Sequence, residues 1–203
     1  MNVAGLLLTG GPSQRMGTDK AALVVDGVPL AERAASALRA VVSPVLEVGP
    51  GWSSLPAVTE AEPGGGPLGA LAAGAAALSE RGHTGGAVVL ATDLPFVSAR
   101  LVAVLASHPS DATVVPVVAG RRQPLAARYS PGALSAAPVL FAAGRRSLAA
   151  LLDEVDAVEL AEDGLAGLVD LRELEDVDTP EDLARLGLGG REGHTGQTGR
   201  LVL

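Results

Sequence analysis

The stretch from Leu6 to Lys20, LLLTGGPSQRMGTDK, brings together residue types suited to holding a polyphosphate. Val3–Leu8 is an apolar run that reads as a short buried strand. It breaks at Thr9-Gly10-Gly11-Pro12-Ser13, where two glycines and a proline end the strand and forbid an immediate helix. A glycine pair at a strand end lets backbone N–H groups converge on a concave surface and approach phosphate oxygens closely. Arg15 and Lys20 add two cations within a few residues. The chain has fourteen arginines but a single lysine, Lys20. An ammonium is a compact point charge that can follow a moving phosphate oxygen, whereas a guanidinium is a larger planar fork. That exception points to Lys20 touching the reacting phosphates; the ordinary alternative is a solvated surface lysine.

A second feature is a carboxylate at a strand end. Ala87–Ala91 reads as a fully buried strand that delivers Thr92-Asp93-Leu94-Pro95. In an open α/β sheet, ligands bind beyond the carboxyl ends of the strands, where Asp93 would stand. A hard, oxygen-seeking cation such as magnesium, bridging a carboxylate and substrate phosphates, suits that position. The alternative is a cap or turn role for Asp93, although Ser98 is the better cap for the helix that follows.

The spacing does not fit either of two common phosphate loops. A P-loop requires Gly-x4-Gly-Lys-Ser/Thr, but Met16 stands where the second glycine should be and Ala21 follows Lys20. Gly64, Gly66 and Gly69 match the dinucleotide spacing Gly-x-Gly-x-x-Gly, on which an NAD-binding oxidoreductase could be argued. That fingerprint belongs after the first strand of its domain, whereas here a third, short strand precedes it. The glycines then read as a lead-in to a helix opened by Pro67.

Composition narrows the function classes. With 203 residues and 48% hydrophobic content, a single α/β domain with a full core is expected. Aromatics are only 2%, so Ala, Val and Leu must build that core. The absence of cysteine removes disulfides, thiol nucleophiles and thiolate metal sites. Three scattered histidines do not make a metal site. The net charge of −8 argues against nucleic acid as partner. No run reaches the ~18 apolar residues of a membrane span, and a cytoplasmic location is expected. Between residues 112 and 152 there is no acid but there are five arginines, whereas residues 153 to 182 hold thirteen acids and one arginine. A basic block in an acidic chain suggests a local anionic ligand, or else a solvated face.

The elements that would position these groups follow in order. A short extended piece from 22 to 25 closes at Asp26-Gly27, and Pro29 opens an Ala-rich helix to about Val41. Strands are expected at 45–48, 57–59, 112–118, 125–129 and 155–160, with helices at 67–79, 131–141 and 147–152. Thr179, Pro180, Glu181 and Asp182 carry helix-start signals. Asp176 and Asp178 precede them on an extended segment and share one face. From Gly187 the chain is Gly-, Thr- and Arg-rich without periodicity and reads as a disordered tail.

The pattern Leu-x-Gly-Gly-x-Ser-x-Arg-Met-Gly-x-Asp-Lys, from Leu8 to Lys20, resembles the signature of the MobA-like nucleotidyltransferases, above all the molybdenum cofactor guanylyltransferases. Gly66-Pro67-Leu68, Asp93-Leu94-Pro95 and Gln123-Pro124-Leu125 extend the resemblance, as do Arg145-Arg146 and Asp178-Thr179-Pro180. It implies an α/β, single-domain, Rossmann-like (GT-A-like) nucleotidyltransferase with a mostly parallel central sheet flanked by helices, covering residues 1–186. The implied reaction moves GMP from GTP to the phosphate of molybdenum-bound molybdopterin, with magnesium as cofactor and pyrophosphate released. The product would pass to a downstream molybdoenzyme or its chaperone.

By the same resemblance, Arg15, Lys20 and Asp93 are the catalytic residues, and Asp93 holds the metal. The nucleotide would lie against Leu8, Thr9, Gly10, Gly11 and Lys20, and against Glu60, Gly66, Pro67, Leu68 and Asp93. Arg122, Gln123, Arg145, Arg146, Asp176 and Asp178 would face the acceptor. Two departures from the family pattern stand out, the second of which bears on the donor base. Glu60 stands where the family usually has Asp, and Asp176 and Asp178 stand where it more often has Asn, while related cytidylyltransferases tend to Asp-x-Asp-Thr-Pro. Cytidylyl transfer to the pterin, guanylyl transfer to a phospho-acid, and a non-catalytic nucleotide-binding cofactor chaperone remain as alternatives.

Overall fold

The computed structural model describes residues 2–10, 20–60, 64–177 and 179–188. Ten strands run in chain order: β1 (Val3–Leu8), β2 (Val24–Val25), β3 (Val28–Pro29), β4 (Val45–Val48), β5 (Ala57–Val58), β6 (Gly86–Ala91), β7 (Thr113–Val118), β8 (Arg121–Arg122), β9 (Ala126–Tyr129) and β10 (Ala157–Leu160). Seven α-helices accompany them: α1 (Leu30–Arg39), α2 (Gly66–Glu80), α3 (Ala99–Ser107), α4 (Pro131–Ala142), α5 (Leu148–Leu152), α6 (Glu162–Leu165) and α7 (Pro180–Arg185). None of the described helices is long and apolar enough to cross a membrane.

The main sheet is ordered β10-β7-β9-β6-β1-β4-β5, with β8 paired to β7. All neighbours along the β6-β1-β4-β5 half are parallel, and β9 alone in the main order runs against both its neighbours. β1 and β6 are buried at every position, as their unbroken apolar runs require of strands covered on both faces. Alternation sorts their side chains. Leu6 and Leu8 join Leu68, Leu71 and Leu78 of α2 and Leu134 and Ala137 of α4 on one face. Leu7 and Val88 join Leu38 of α1 and Leu101 and Leu105 of α3 on the other.

Several local expectations meet a physical reason. Asp26 and Gly27 both have positive φ, 51° and 79°, and close a β2–β3 hairpin. Pro29 therefore ends β3 and precedes α1 instead of opening its first turn. Ser98 caps α3, with its hydroxyl accepting from the Arg100 N–H at 3.1 Å. Thr179 caps α7 in a reciprocal box with Asp182. Of the tail read above from Gly187, the Gly187 N–H donates to the Ala184 carbonyl at 3.1 Å, and residues 189–203 lie outside the described residues.

At the start of α2 two distant segments meet. The Arg146 carbonyl accepts the Leu68 N–H at 3.2 Å, filling one of the orphan donors of that helix end. Gly66 sits at φ +71°, and a Cβ there would lie 2.9 Å from the same carbonyl oxygen. Only glycine fits both demands. On β9, fully buried Tyr129 donates its hydroxyl to the Pro124 carbonyl at 2.9 Å, tying the Gln123–Leu125 entry to the sheet.

Two stability changes are expected in urea titrations. Gly66→Ala should cost about 1–3 kcal/mol through left-handed strain and the clash with Arg146. Tyr129→Phe should cost about 1 kcal/mol by removing the hydrogen bond that ties Tyr129 to the Pro124 carbonyl. An unshifted midpoint in either variant would contradict the packing described.

Candidate active site

The carboxyl ends of β1, β4, β5 and β6 lie at one edge of the sheet. After β1 the chain crosses to β4, with α1 on one face; after β5 it returns to β6, with α2 on the other. β1 and β6 are thus adjacent strands whose connections leave in opposite directions, the point at which open α/β sheets form a ligand crevice. Thr9-Gly10 follows β1 and Thr92-Asp93 follows β6, at the same height, because Leu8 and Ala91 are register partners.

Glu60 closes one side of this crevice. A Cβ at Gly10 would lie 2.6 Å from Glu60 Oε1, and one at Gly69 would lie 3.6 Å from Oε2. The carboxylate therefore bridges the end of β1 and the first turn of α2, beside Gly66, Pro67 and Leu68. Among the described residues it makes no hydrogen bond, and burial pushes its carboxyl above the ordinary value. Leu8 and Thr9 are buried and Gly10 is exposed, so the surface offered here is largely backbone. Gly11 and Arg15 lie outside the described residues. Lys20 begins a single 3-10 turn, Lys20–Ala22, that packs against α1.

Glu47 belongs to this edge and was not singled out from sequence. It is fully buried on β4. Its Oε1 accepts from the Thr9 hydroxyl at 2.7 Å and from the Gly51 and Trp52 N–H groups at 2.9 and 2.6 Å. Its Oε2 accepts from the Ser53 N–H at 2.8 Å and hydroxyl at 2.6 Å. Burial by itself would raise its pKa, but these donors outweigh burial and hold the carboxyl below its ordinary value. The available signal was a lone acid inside the apolar run Val45–Val48.

Asp93 is half-buried at the end of β6. Its carbonyl accepts the Val177 N–H at 2.9 Å, which docks the extended segment around Asp176 directly beside it. Val177 is buried and Asp176 exposed, in keeping with alternation; Asp178 lies outside the described residues. No group of three or more metal-type ligands occurs among the described residues. A magnesium ion bound through one or two carboxylates, with waters and substrate phosphates as its other ligands, needs no larger set. The donor chemistry at Asp93 fits such an ion.

The arginines nominated for the acceptor are dispersed. Arg122 on β8 pairs with Glu159 at 2.7 Å and Asp153 at 2.9 Å, with Gln123 next to it. Arg145 faces Glu154 at 3.5 Å. Arg146 lies over the Phe141 ring, 4.4 Å from its centroid, and donates to the Phe141 carbonyl. Only Arg145-Arg146, through the Gly66 contact, adjoins the β1–α2 side of the crevice.

The chain and its fold have counterparts among known proteins. Residues 5–159 match the MobA-like NTP transferase domain. A probable molybdenum cofactor guanylyltransferase from Chloroflexus aggregans is 38% identical over 160 residues, which cover 73% of this chain and 75% of that one. One of the same description from Mycobacterium tuberculosis is 35% identical over 167 residues, covering 78% and 83%. Among solved structures, molybdopterin-guanine dinucleotide biosynthesis protein A from Archaeoglobus fulgidus superposes with a TM-score of 0.74 at 22% identity, covering 90% of this chain and 95% of that one. Matched over most of its length, with a mostly parallel sheet that opens at the end of β1, the chain belongs to the MobA-like nucleotidyltransferases.

Proposed function

We propose that the protein transfers GMP from GTP to the phosphate of molybdenum-bound molybdopterin, forming the guanine dinucleotide cofactor and releasing pyrophosphate. The relatives' descriptions support this reading. The observation that carries it is the Glu60 carboxylate, held between Gly10 and Gly69 with no hydrogen-bond partner among the described residues. An ionised carboxylate only accepts hydrogen bonds. Guanine presents N–H donors at N1 and N2 side by side, whereas the pairing edge of cytosine offers acceptors at O2 and N3 beside its single amino group. A partly buried acceptor pair therefore favours guanine, even though Glu60 is one methylene longer than the usual Asp.

The chemistry needs few protein groups. A phosphate monoester is already anionic near neutral pH and needs no strong general base. Its oxygen attacks the α-phosphorus of GTP as the bond to the bridging β-phosphate oxygen breaks and the electron pair leaves with pyrophosphate. Catalysis then rests on alignment and on neutralising negative charge. The rigid end of β1 presents backbone to the nucleotide, and Arg15 and Lys20 supply positive charge. Asp93 would hold magnesium, which when bound neutralises charge on the triphosphate. Arg145 and Arg146, which adjoin the α2 side of the crevice, would meet an acceptor phosphate, with Arg122 and Gln123 available to a longer acceptor, and the segment of Asp176 would border the metal side.

Incubation with magnesium, each NTP in turn and molybdopterin, followed by product mass and pyrophosphate release, tests the proposal. GTP alone should give the dinucleotide. Turnover with CTP instead would establish cytidylyl transfer, and nucleotide binding without pyrophosphate release under any condition would establish a non-catalytic carrier. Asp93→Ala should lower transfer about 10²–10³-fold, the scale of losing one electrostatic stabiliser, with circular dichroism unchanged.

Glu60→Gln separates binding from stability. Loss of a charge-assisted bond to guanine should weaken GTP binding roughly tenfold to a hundredfold. The same substitution should raise the melting temperature at neutral pH. The folded pKa of Glu60 is raised, so its charged form costs stability above that pKa, and the cost fades as pH falls below the ordinary carboxylate value. The variant's advantage should disappear there. A melting temperature below wild type at pH 7 would refute the unpaired carboxylate.

A further inference from the structure

We propose that Glu47 is a positioning residue for nucleotide binding, clasping the turn after β4 to the end of β1 so that the crevice wall is formed before a nucleotide arrives. This rests on the reading that the end of β1 is the nucleotide site. Leu46 and Val48 point toward α2, so Glu47 points to the opposite face, in register with Leu7 and one step along from Thr9. A charge in that position needs compensation from several donors. One of its five comes from Thr9 and four from Gly51, Trp52 and Ser53.

Stability alone does not account for this arrangement. An apolar residue would fill a buried strand position without desolvating a charge, and buried ionic groups are often no more stabilising than apolar replacements. The 51–53 backbone groups lie in a surface turn and could be met by water. The carboxylate instead welds that turn to Thr9. The contact is direct, since a Cβ at Gly49 would lie 2.0 Å from Thr9 Oγ1 and 3.1 Å from the Gly10 nitrogen. Thr9 N–H also donates to the Val48 carbonyl at 3.0 Å. Thr9-Gly10 is where the glycine turn leaves the sheet, so disorder in the 49–53 turn would pass straight into the crevice wall. A wall ordered in advance spares the ligand the entropy of ordering it.

Two substitutions test the clasp. Glu47→Gln sets an amide NH₂ against the Ser53 donors and should release the turn. Thr9→Val keeps the shape and removes the hydroxyl that joins β1 to Glu47, together with its longer contact to the Val48 carbonyl at 3.4 Å. Both are compared with the wild type by GTP titration with magnesium and by steady-state kinetics. Trp52, the chain's single tryptophan, reports the turn through acrylamide quenching. The expected result is a KM for GTP raised about tenfold in each variant, with kcat and the acceptor KM changed less than threefold. Greater quencher access to Trp52 should accompany it in Glu47→Gln. A purely structural role would lower kcat through loss of folded enzyme and leave KM alone, which would overturn the proposal. So would wild-type GTP affinity in a Glu47→Gln protein whose Trp52 is demonstrably released. If Glu47→Gln fails to fold, the isosteric Thr9→Val decides by the same split. Failure of the wild type to bind any NTP would instead remove the underlying site assignment.

Discussion

The organisation of the site depends on a reversal of direction at β1. Its two neighbours, β4 and β6, are reached by crossovers that pass over opposite faces, so among the described residues the end of β1 lies between the two crossovers. The Thr9 N–H is still met by the Val48 carbonyl of β4, whereas Gly10 beyond it is exposed, which leaves its backbone open to a ligand. The sequence answers with Thr9 and two glycines, residues that leave backbone open to a ligand. Side-chain alternation extends the division. Leu6 and Leu8 seat α2, with its Gly66–Leu68 turn and the Glu60 contact, while Leu7 and Thr9 look toward Glu47 and α1.

The two glutamates at this edge show how environment separates identical groups. Glu47 is the more deeply buried, yet its carboxyl is held below the ordinary value because donors converge on both oxygens. Glu60 is only partly buried, yet its carboxyl is raised because burial disfavours its charge and no described residue donates to it. Glu47 is accordingly a structural acceptor whose capacity is filled inside the protein. Glu60 keeps its capacity for an outside donor, at some expense to the folded state. Such a group would bind a base edge and would not suit the phosphates, which carry its own sign of charge.

What could be read from the sequence was what depends on neighbours along the chain. The buried strands, the caps at Ser98 and Thr179, the turn at Asp26-Gly27 and the start of α2 near Pro67 all rest on local signals. The order of the motifs added the family and with it the sheet. Contacts made across the fold were not legible. Thr9 and Glu47 are 38 residues apart, and no local pattern pairs them. The Arg146 carbonyl that completes α2 acts through its backbone, so residue type gave no clue to it. The antiparallel course of β9 likewise depends on the sheet around it.

The basic block illustrates the same limit and bears on how an anionic acceptor is received. Arg128 proves to be internal, with its guanidinium spent on the carbonyls of His108, Ser110 and Ala112. Arg122 and Arg145 meet Asp153, Glu154 and Glu159, so the acidic block that follows in sequence folds back on the basic one. The charge asymmetry of the sequence is thereby partly cancelled in space. These pairs are solvent-exposed, and exposed pairs contribute only about 0–1 kcal/mol. A phosphate, with more charge and oxygens that suit the guanidinium fork, offers stronger hydrogen bonds than a single exposed carboxylate. Exchanging one partner for the other therefore costs little. Arg122 and Arg145 are held in place without being committed, whereas Arg128 could not be withdrawn without leaving three carbonyls unsatisfied.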